Sequence, residues 1–190
     1  MKLKYNSPVI LTFALISFVA LILNMITNGA SNKLLFSVYR FQMTDPLGYL
    51  RLFSHVLGHV NFEHFSSNML LFLLTGPLLE EKYGSKNILI IILITAFITG
   101  VIHITFSQNG LLGASGVVFT FITLASITSV KSKEIPITMI IISILYIGNE
   151  ALSLSTNDNI SHLTHILGGL VGMGIGLLIT HYKGINNTYY

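Results

Sequence analysis

The stretch Gly113-Ala114-Ser115-Gly116-Val117-Val118-Phe119-Thr120-Phe121, continued by apolar residues to Val130 and closed by Lys131-Ser132-Lys133, decides the fold. It reads as an apolar helix with a serine between glycines at its start and a basic pair at its end. Ser115 precedes Lys131 by 16 residues, about 24 Å of helix at a rise of about 1.5 Å per residue. A bilayer core is about 30 Å thick. With Lys131 held at one interface, Ser115 therefore falls below the opposite surface, inside the membrane and at a helix N-terminus.

The rest of the chain agrees with a membrane setting. Of 190 residues, 52% are hydrophobic and only 9% charged, with a mean hydropathy of +0.76. Soluble domains carry roughly a quarter charged residues. There is no cysteine, which excludes disulfides, thiolate catalysis and zinc–cysteine sites. The net charge of +3 comes from basic residues scattered along the chain, with no patch that would bind nucleic acid. No nucleotide, flavin or metal motif is visible, so no cofactor is expected. His55, His59 and His64 lack the H-E-x-x-H pattern of a zinc site.

Six apolar segments are long enough, or nearly so, to cross a bilayer: about 8–27, 64–81, 88–106, 115–130, 136–152 and 162–181. The first follows Lys2 and Lys4 but exceeds the usual 7–15 residues of a signal-peptide core, so it is read as a retained helix. The segment from Asn28 to about Glu63 is amphipathic and does not span. Basic residues set the orientation. With the N-terminus inside, Lys2, Lys4, Lys82, Lys86, Lys131, Lys133 and Lys183 are cytoplasmic, against Lys33, Arg40 and Arg51 outside. The reading is one all-α membrane domain over 1–190, in a bacterial inner membrane, with both termini cytoplasmic.

Polar groups at membrane depth mark functional sites by default. A G-x-S-G pattern alone is more often an N-cap serine between glycines. Here the glycines permit a tight turn, and the unpaired N–H groups of a helix start face any developing negative charge. His165 opens the sixth segment, and positions 165, 168, 172 and 176 share one helical face lined by Gly168, Gly172 and Gly176. Small residues allow close backbone contact with a neighbouring helix. If that neighbour is the Ser115 helix, His165 comes within reach of the serine and can act as its base. His64 and Asn68, four apart, share one face of the second segment. They could be interhelical polar contacts, or donors to an oxyanion. With no carboxylate beside His165, a dyad is favoured over a triad. Asn149 and Glu150, in the fifth segment, and His103, in the third, have no assigned role.

These residues resemble the rhomboid intramembrane serine proteases, in particular the minimal six-helix bacterial type. The G-x-S-G motif is Gly113-Ala114-Ser115-Gly116, the H-x-x-x-N motif is His64 to Asn68, and the histidine with following glycines is His165-Ile166-Leu167-Gly168-Gly169. The resemblance implies a bundle of six transmembrane helices in which Ser115 is the nucleophile and His165 the base. It also implies that His64, Asn68 and the Ser115 amide hold the oxyanion and that Phe119 stacks on His165. Glu80, in Gly76-Pro77-Leu78-Leu79-Glu80, would tie down the cytoplasmic end, and Arg51 to His55 with His59 is similar to the family's first-loop pattern. Where the family usually has tryptophan before that arginine, this chain has Leu50, which bears on loop packing and not on chemistry. By resemblance, the partners are transmembrane protein substrates in a lipid bilayer, cut near small residues. Two other readings stand beside it: a catalytically silent rhomboid-like binder or chaperone of membrane proteins, and a small transporter.

Overall fold

The structure, a computed structural model, describes residues 5–127, 137, 141, 144 and 162–186, with side chains in the last helix described over 166–178. Among the described residues six helices run in chain order: α1 (Pro8–Ile26), α2 (Pro46–Ser54), α3 (Phe62–Tyr83), α4 (Ser85–Phe106), α5 (Ser115–Ile127) and α6 (His162–Asn186). A π-helical turn, Asn32–Phe36, and a 3₁₀ turn, His55–Leu57, complete the described elements. The architecture is an all-α bundle. The expected fifth span, 136–152, lies almost wholly outside the described residues.

The bundle is apolar on both its inside and its outside. Ile10, Phe72, Ile88, Ala96, Val117, Phe121 and Leu124 form its buried core. Leu15, Val19 and Ile26 on α1, Leu70, Leu74 and Leu78 on α3, and Ile90, Leu93 and Phe97 on α4 are exposed. A helix that is hydrophobic all round belongs in a membrane or in the core of a large protein, and the outward faces of these helices are exposed within the chain. Two helices, α1 and α4, are individually long and apolar enough to cross a bilayer.

Close contacts set the helix order. Gly76 of α3 meets Ile10 of α1, where a Cβ would come within 2.7 Å of the isoleucine. Phe72 bridges to both sides, 4.6 Å from Phe13 of α1 and 5.2 Å from Phe121 of α5 between ring centroids. Pro8 starts α1 with no side-chain N-cap. The orphan N–H groups are taken by a distant residue: Val9 and Ile10 each donate to a Glu80 carboxylate oxygen at 3.0 Å. An anion at a helix N-terminus is favoured by unpaired amides and helix dipole together. Glu80, 4% exposed, therefore fastens α1 to α3.

The α3 helix begins two residues earlier than the apolar pattern suggests. Asn61 caps it, its side chain accepting the His64 N–H at 2.8 Å, which adds the turn that holds Phe62 and Glu63. The first loop, 27–61, folds back over the bundle. Asn24 and Asn32 both donate side-chain N–H to the His59 carbonyl. Arg51 pairs with Asp45 at 2.6 Å, donates to the Leu34 carbonyl and lies 4.4 Å over the Tyr39 ring. Leu50 is exposed, and the cation–π contact with Tyr39 is made by the neighbouring Arg51.

Candidate active site

The segment 107–114 carries the chain from α4 to Ser115. It is pinned at two points. Val38 and Leu111 exchange backbone hydrogen bonds of 2.9 and 2.8 Å, and the Gly113 N–H donates to the His55 carbonyl at 2.9 Å. Gly113 has φ of +128°, a conformation that favours glycine. Space demands it as well: a Cβ there would lie 2.8 Å from both Cε1 and Nε2 of His64 and 3.9 Å from Nδ2 of Asn68. The His64 imidazole and the Asn68 amide are thus packed over the turn that presents Ser115. The serine is half-buried and is the first residue of α5, where helix geometry leaves the N–H groups without intrahelical partners.

Asn68 is buried, and its Nδ2 has no hydrogen-bond partner. Leaving a buried donor unmade costs about 1–3 kcal/mol. Native structures rarely leave one without a reason. Its neighbours on α3 differ: Ser66 and Ser67 are exposed and donate back to the Glu63 and His64 carbonyls. Of the polar run at the start of α3, His64 and Asn68 reach Gly113, and the two serines satisfy themselves on their own helix.

Two further histidines scaffold this corner. His55 is buried, its Nδ1–H donating to the Arg51 carbonyl at 3.1 Å, with Nε2 3.4 Å from Thr99 Oγ1. Burial pushes its imidazole down to about 4, so it stays neutral at physiological pH. His59 donates Nδ1–H to the Leu57 carbonyl and meets His64 edge to face at 5.1 Å between ring centroids. Burial, and then the neighbouring His64, push it down to about 4 as well. Among the described residues no group of three His, Asp or Glu is disposed to hold a metal ion. His103 uses Nε2 on the Asn109 carbonyl at 2.9 Å and so helps shape the segment before Ser115.

The α6 helix approaches α5 backbone to backbone. A Cβ on Gly168 would lie 2.2 Å from the Gly116 carbonyl oxygen, and one on Gly172 would lie 2.1 Å from Thr123 Oγ1 and 2.4 Å from the Thr120 carbonyl oxygen. The Thr120 hydroxyl donates to the Gly168 carbonyl at 2.8 Å. One of these two tight approaches falls on Gly116, the residue after Ser115. His165 is part of α6, three residues before Gly168 and on the same helical face by spacing; its imidazole lies outside the described side chains. Phe119, one turn after Ser115, is buried.

The sequence reading passed over the buried threonines. Thr95, Thr120 and Thr123 are buried where α4, α5 and α6 meet, with Thr95 and Thr120 hydroxyls 3.2 Å apart, and Thr99 is buried beside His55. Their spacing, four apart on α4 and three apart on α5, is the signal that could have found them. His55 was noted as a loop motif, but its carbonyl's hold on Gly113 is visible only in three dimensions. A family model for the rhomboid domain matches residues 46–182, well over half of the chain.

Proposed function

The chain belongs to the rhomboid family, and from that membership we propose that it is an intramembrane serine endopeptidase cleaving transmembrane segments of other membrane proteins. The observation that carries the reading is the corner at Gly113. A half-buried serine at a helix start follows Gly113 by two residues, and on that glycine pack an imidazole and a buried amide donor that has no partner. An oxyanion is the ligand such a donor suits: Asn68 Nδ2–H, His64 and the Ser115 N–H would surround the oxygen of a tetrahedral intermediate.

In this mechanism His165 takes the proton from Ser115 Oγ as the oxygen attacks the scissile carbonyl. It returns the proton to the leaving amine as the acyl-enzyme forms. Water, deprotonated by His165, then attacks the ester and frees Ser115. Gly168 and Gly172 support the pairing by letting α6 lie against α5 at Gly116 and Thr120. Gly113 and Gly116 give the turn its room, and Phe119 is positioned one helical turn along to stack on His165. We place these residues in six spans, 8–27, 64–81, 88–106, 115–130, 136–152 and 162–181, in one domain over 1–190. Both termini face the cytoplasm of a bacterium, and the site opens to the opposite side of its inner membrane. No cofactor is needed for this chemistry.

The test is cleavage of a single-span model substrate by the protein reconstituted in vesicles. Wild type is expected to release the cut product, and Ser115→Ala to abolish release, a fall of at least about 10⁴-fold. Equal cleavage by Ser115→Ala would overturn the assignment. Substrate capture without cleavage by folded wild type would point to the catalytically silent binder.

A further inference from the structure

We propose that the groove between the first loop and the segment 107–112 is a binding site for a glycerophosphate group, the headgroup chemistry of an anionic phospholipid. The groove encloses about 520 Å³ and is lined by Asn32, Lys33, Ser37, Arg40, Gln108 and Gly110 among others. It lies at the end of the bundle where α1 and α4 finish and α5 begins.

Its charge is one-sided. Lys33 and Arg40 line it, and among the described residues none that lines it is acidic. Both cations are exposed, and the one ion pair among the described residues, Arg51 with Asp45, involves neither. Arg40 is fixed in place: its Nε donates to the Ile104 carbonyl at 3.2 Å and its Nη2 to the Thr105 carbonyl at 3.1 Å. Those two bonds sit at the C-terminal end of α4, where a cation is favoured, and they leave the rest of the guanidinium for an anion. Phosphate suits such a pair, since a guanidinium binds it through directed hydrogen bonds and an ammonium as a point charge.

A second feature is independent of the charge. Ser37 and Gln108 add neutral hydrogen-bonding side chains to the lining, and groups that both donate and accept suit a hydroxyl-bearing anion, as in a glycerol headgroup, better than bare phosphate. A third feature separates lipid from soluble ester. Leu34, next to Lys33, is 54% exposed, Phe106 is 76% exposed and Ile26 is 72% exposed. These apolar side chains flank the polar groove and offer acyl chains a surface to follow. A soluble glycerophosphate has no use for them.

The groove adjoins the Val38–Leu111 backbone bridge. A ligand held by Lys33 and Arg40 on one side and by Gln108 and Gly110 on the other would tie the first loop to the segment that enters Gly113. Binding to the folded state alone raises stability by mass action. This inference does not rest on the proposed proteolytic activity.

The experiment compares phosphatidylglycerol with phosphatidylcholine in nanodiscs holding the full chain. It reads retained lipid by native mass spectrometry and the thermal midpoint. Wild type is expected to retain phosphatidylglycerol in preference and to melt higher in it. Lys33→Glu is expected to lose retention about tenfold while melting as wild type does in phosphatidylcholine. Soluble glycerol 3-phosphate forms the second arm. If it leaves the midpoint unchanged while the lipid raises it, the occupant is the lipid; if it raises the midpoint to the same plateau and displaces the lipid, the site takes the soluble ester. Equal retention of the two lipids by wild type with no effect of glycerol 3-phosphate overturns the proposal. Undiminished phosphatidylglycerol retention by Lys33→Glu also overturns it.

Discussion

Asn68 and Glu80 lie on the same helix, twelve residues and about 18 Å apart, and both are buried polar side chains. Their hydrogen bonding is opposite. Both carboxylate oxygens of Glu80 accept an N–H from the start of α1, whereas the Asn68 amide nitrogen has no partner. One end of α3 is thus complete as folded and stabilises the bundle. The other carries an unmade bond beside Gly113 and Ser115, which stabilises nothing until a ligand or an intermediate supplies the acceptor. At these two positions hydrogen bonding separates the roles: Glu80, with both oxygens bonded, holds the fold, and Asn68, with its Nδ2 left open, is a candidate for chemistry.

The comparison breaks most visibly at Asn68. Asn68→Ala is expected to lower kcat about 10²–10³-fold, the loss typical of one oxyanion donor, while the thermal midpoint stays within a degree or two because no bond is removed. A large loss of stability with activity per folded molecule intact would reverse the two roles. Next comes the α5–α6 crossing. Gly168→Ala puts a methyl group 2.2 Å from the Gly116 carbonyl oxygen, so α6 must move. Overpacking of this kind costs about 1–3 kcal/mol, and a displacement near 1 Å between Ser115 and His165, the proposed dyad, is expected to cost about 10²-fold in rate. Kinetics and melting on the same preparation check both.

The scaffold histidines sharpen the picture through pH. His55 and His59 are held near 4 against an ordinary 6.5. The unfolded chain therefore binds more protons than the folded one between those values, and stability must rise with pH across that window. It is fully present above about 6.5 and is lost as pH falls toward 4. At pH 5.5 each imidazole is expected to have cost about 1 kcal/mol, and replacing both by glutamine should flatten the midpoint-against-pH curve. The smallest effect is expected at the other end of α3. Glu80→Gln keeps an acceptor but removes the charge at the α1 N-terminus, a loss of about 1 kcal/mol, with serine reactivity per folded molecule unchanged.

Much of this was legible in the chain itself. The apolar segments carry the helices because a span leaves no other way to satisfy its backbone, and the Gly113-to-Gly116 pattern marks the start of α5. The i, i+4 spacing of His64 and Asn68 puts them on one face, and the structure brings that face to Gly113. Glu80 was legible only through family resemblance, since nothing in its local sequence says that its partners are the amides of Val9 and Ile10. The least legible part was the first loop. Its architecture rests on long-range bonds from side chains to backbone: Asn24 and Asn32 to His59, Arg51 to Leu34, and the His55 carbonyl to Gly113. Periodicity carries no information about such bonds. Helix boundaries shifted for a related reason, as at Asn61, whose cap extends α3 past the apolar pattern.

The central claim is that the corner at Gly113 activates Ser115. The most direct test is labelling of the folded, detergent-purified protein with a fluorophosphonate probe, with the modified residue mapped by mass spectrometry. Modification of Ser115 in wild type, and its absence in His165→Ala of unchanged thermal midpoint, is the predicted result. Folded wild type that takes up no probe, or takes it up equally without His165, would contradict the account.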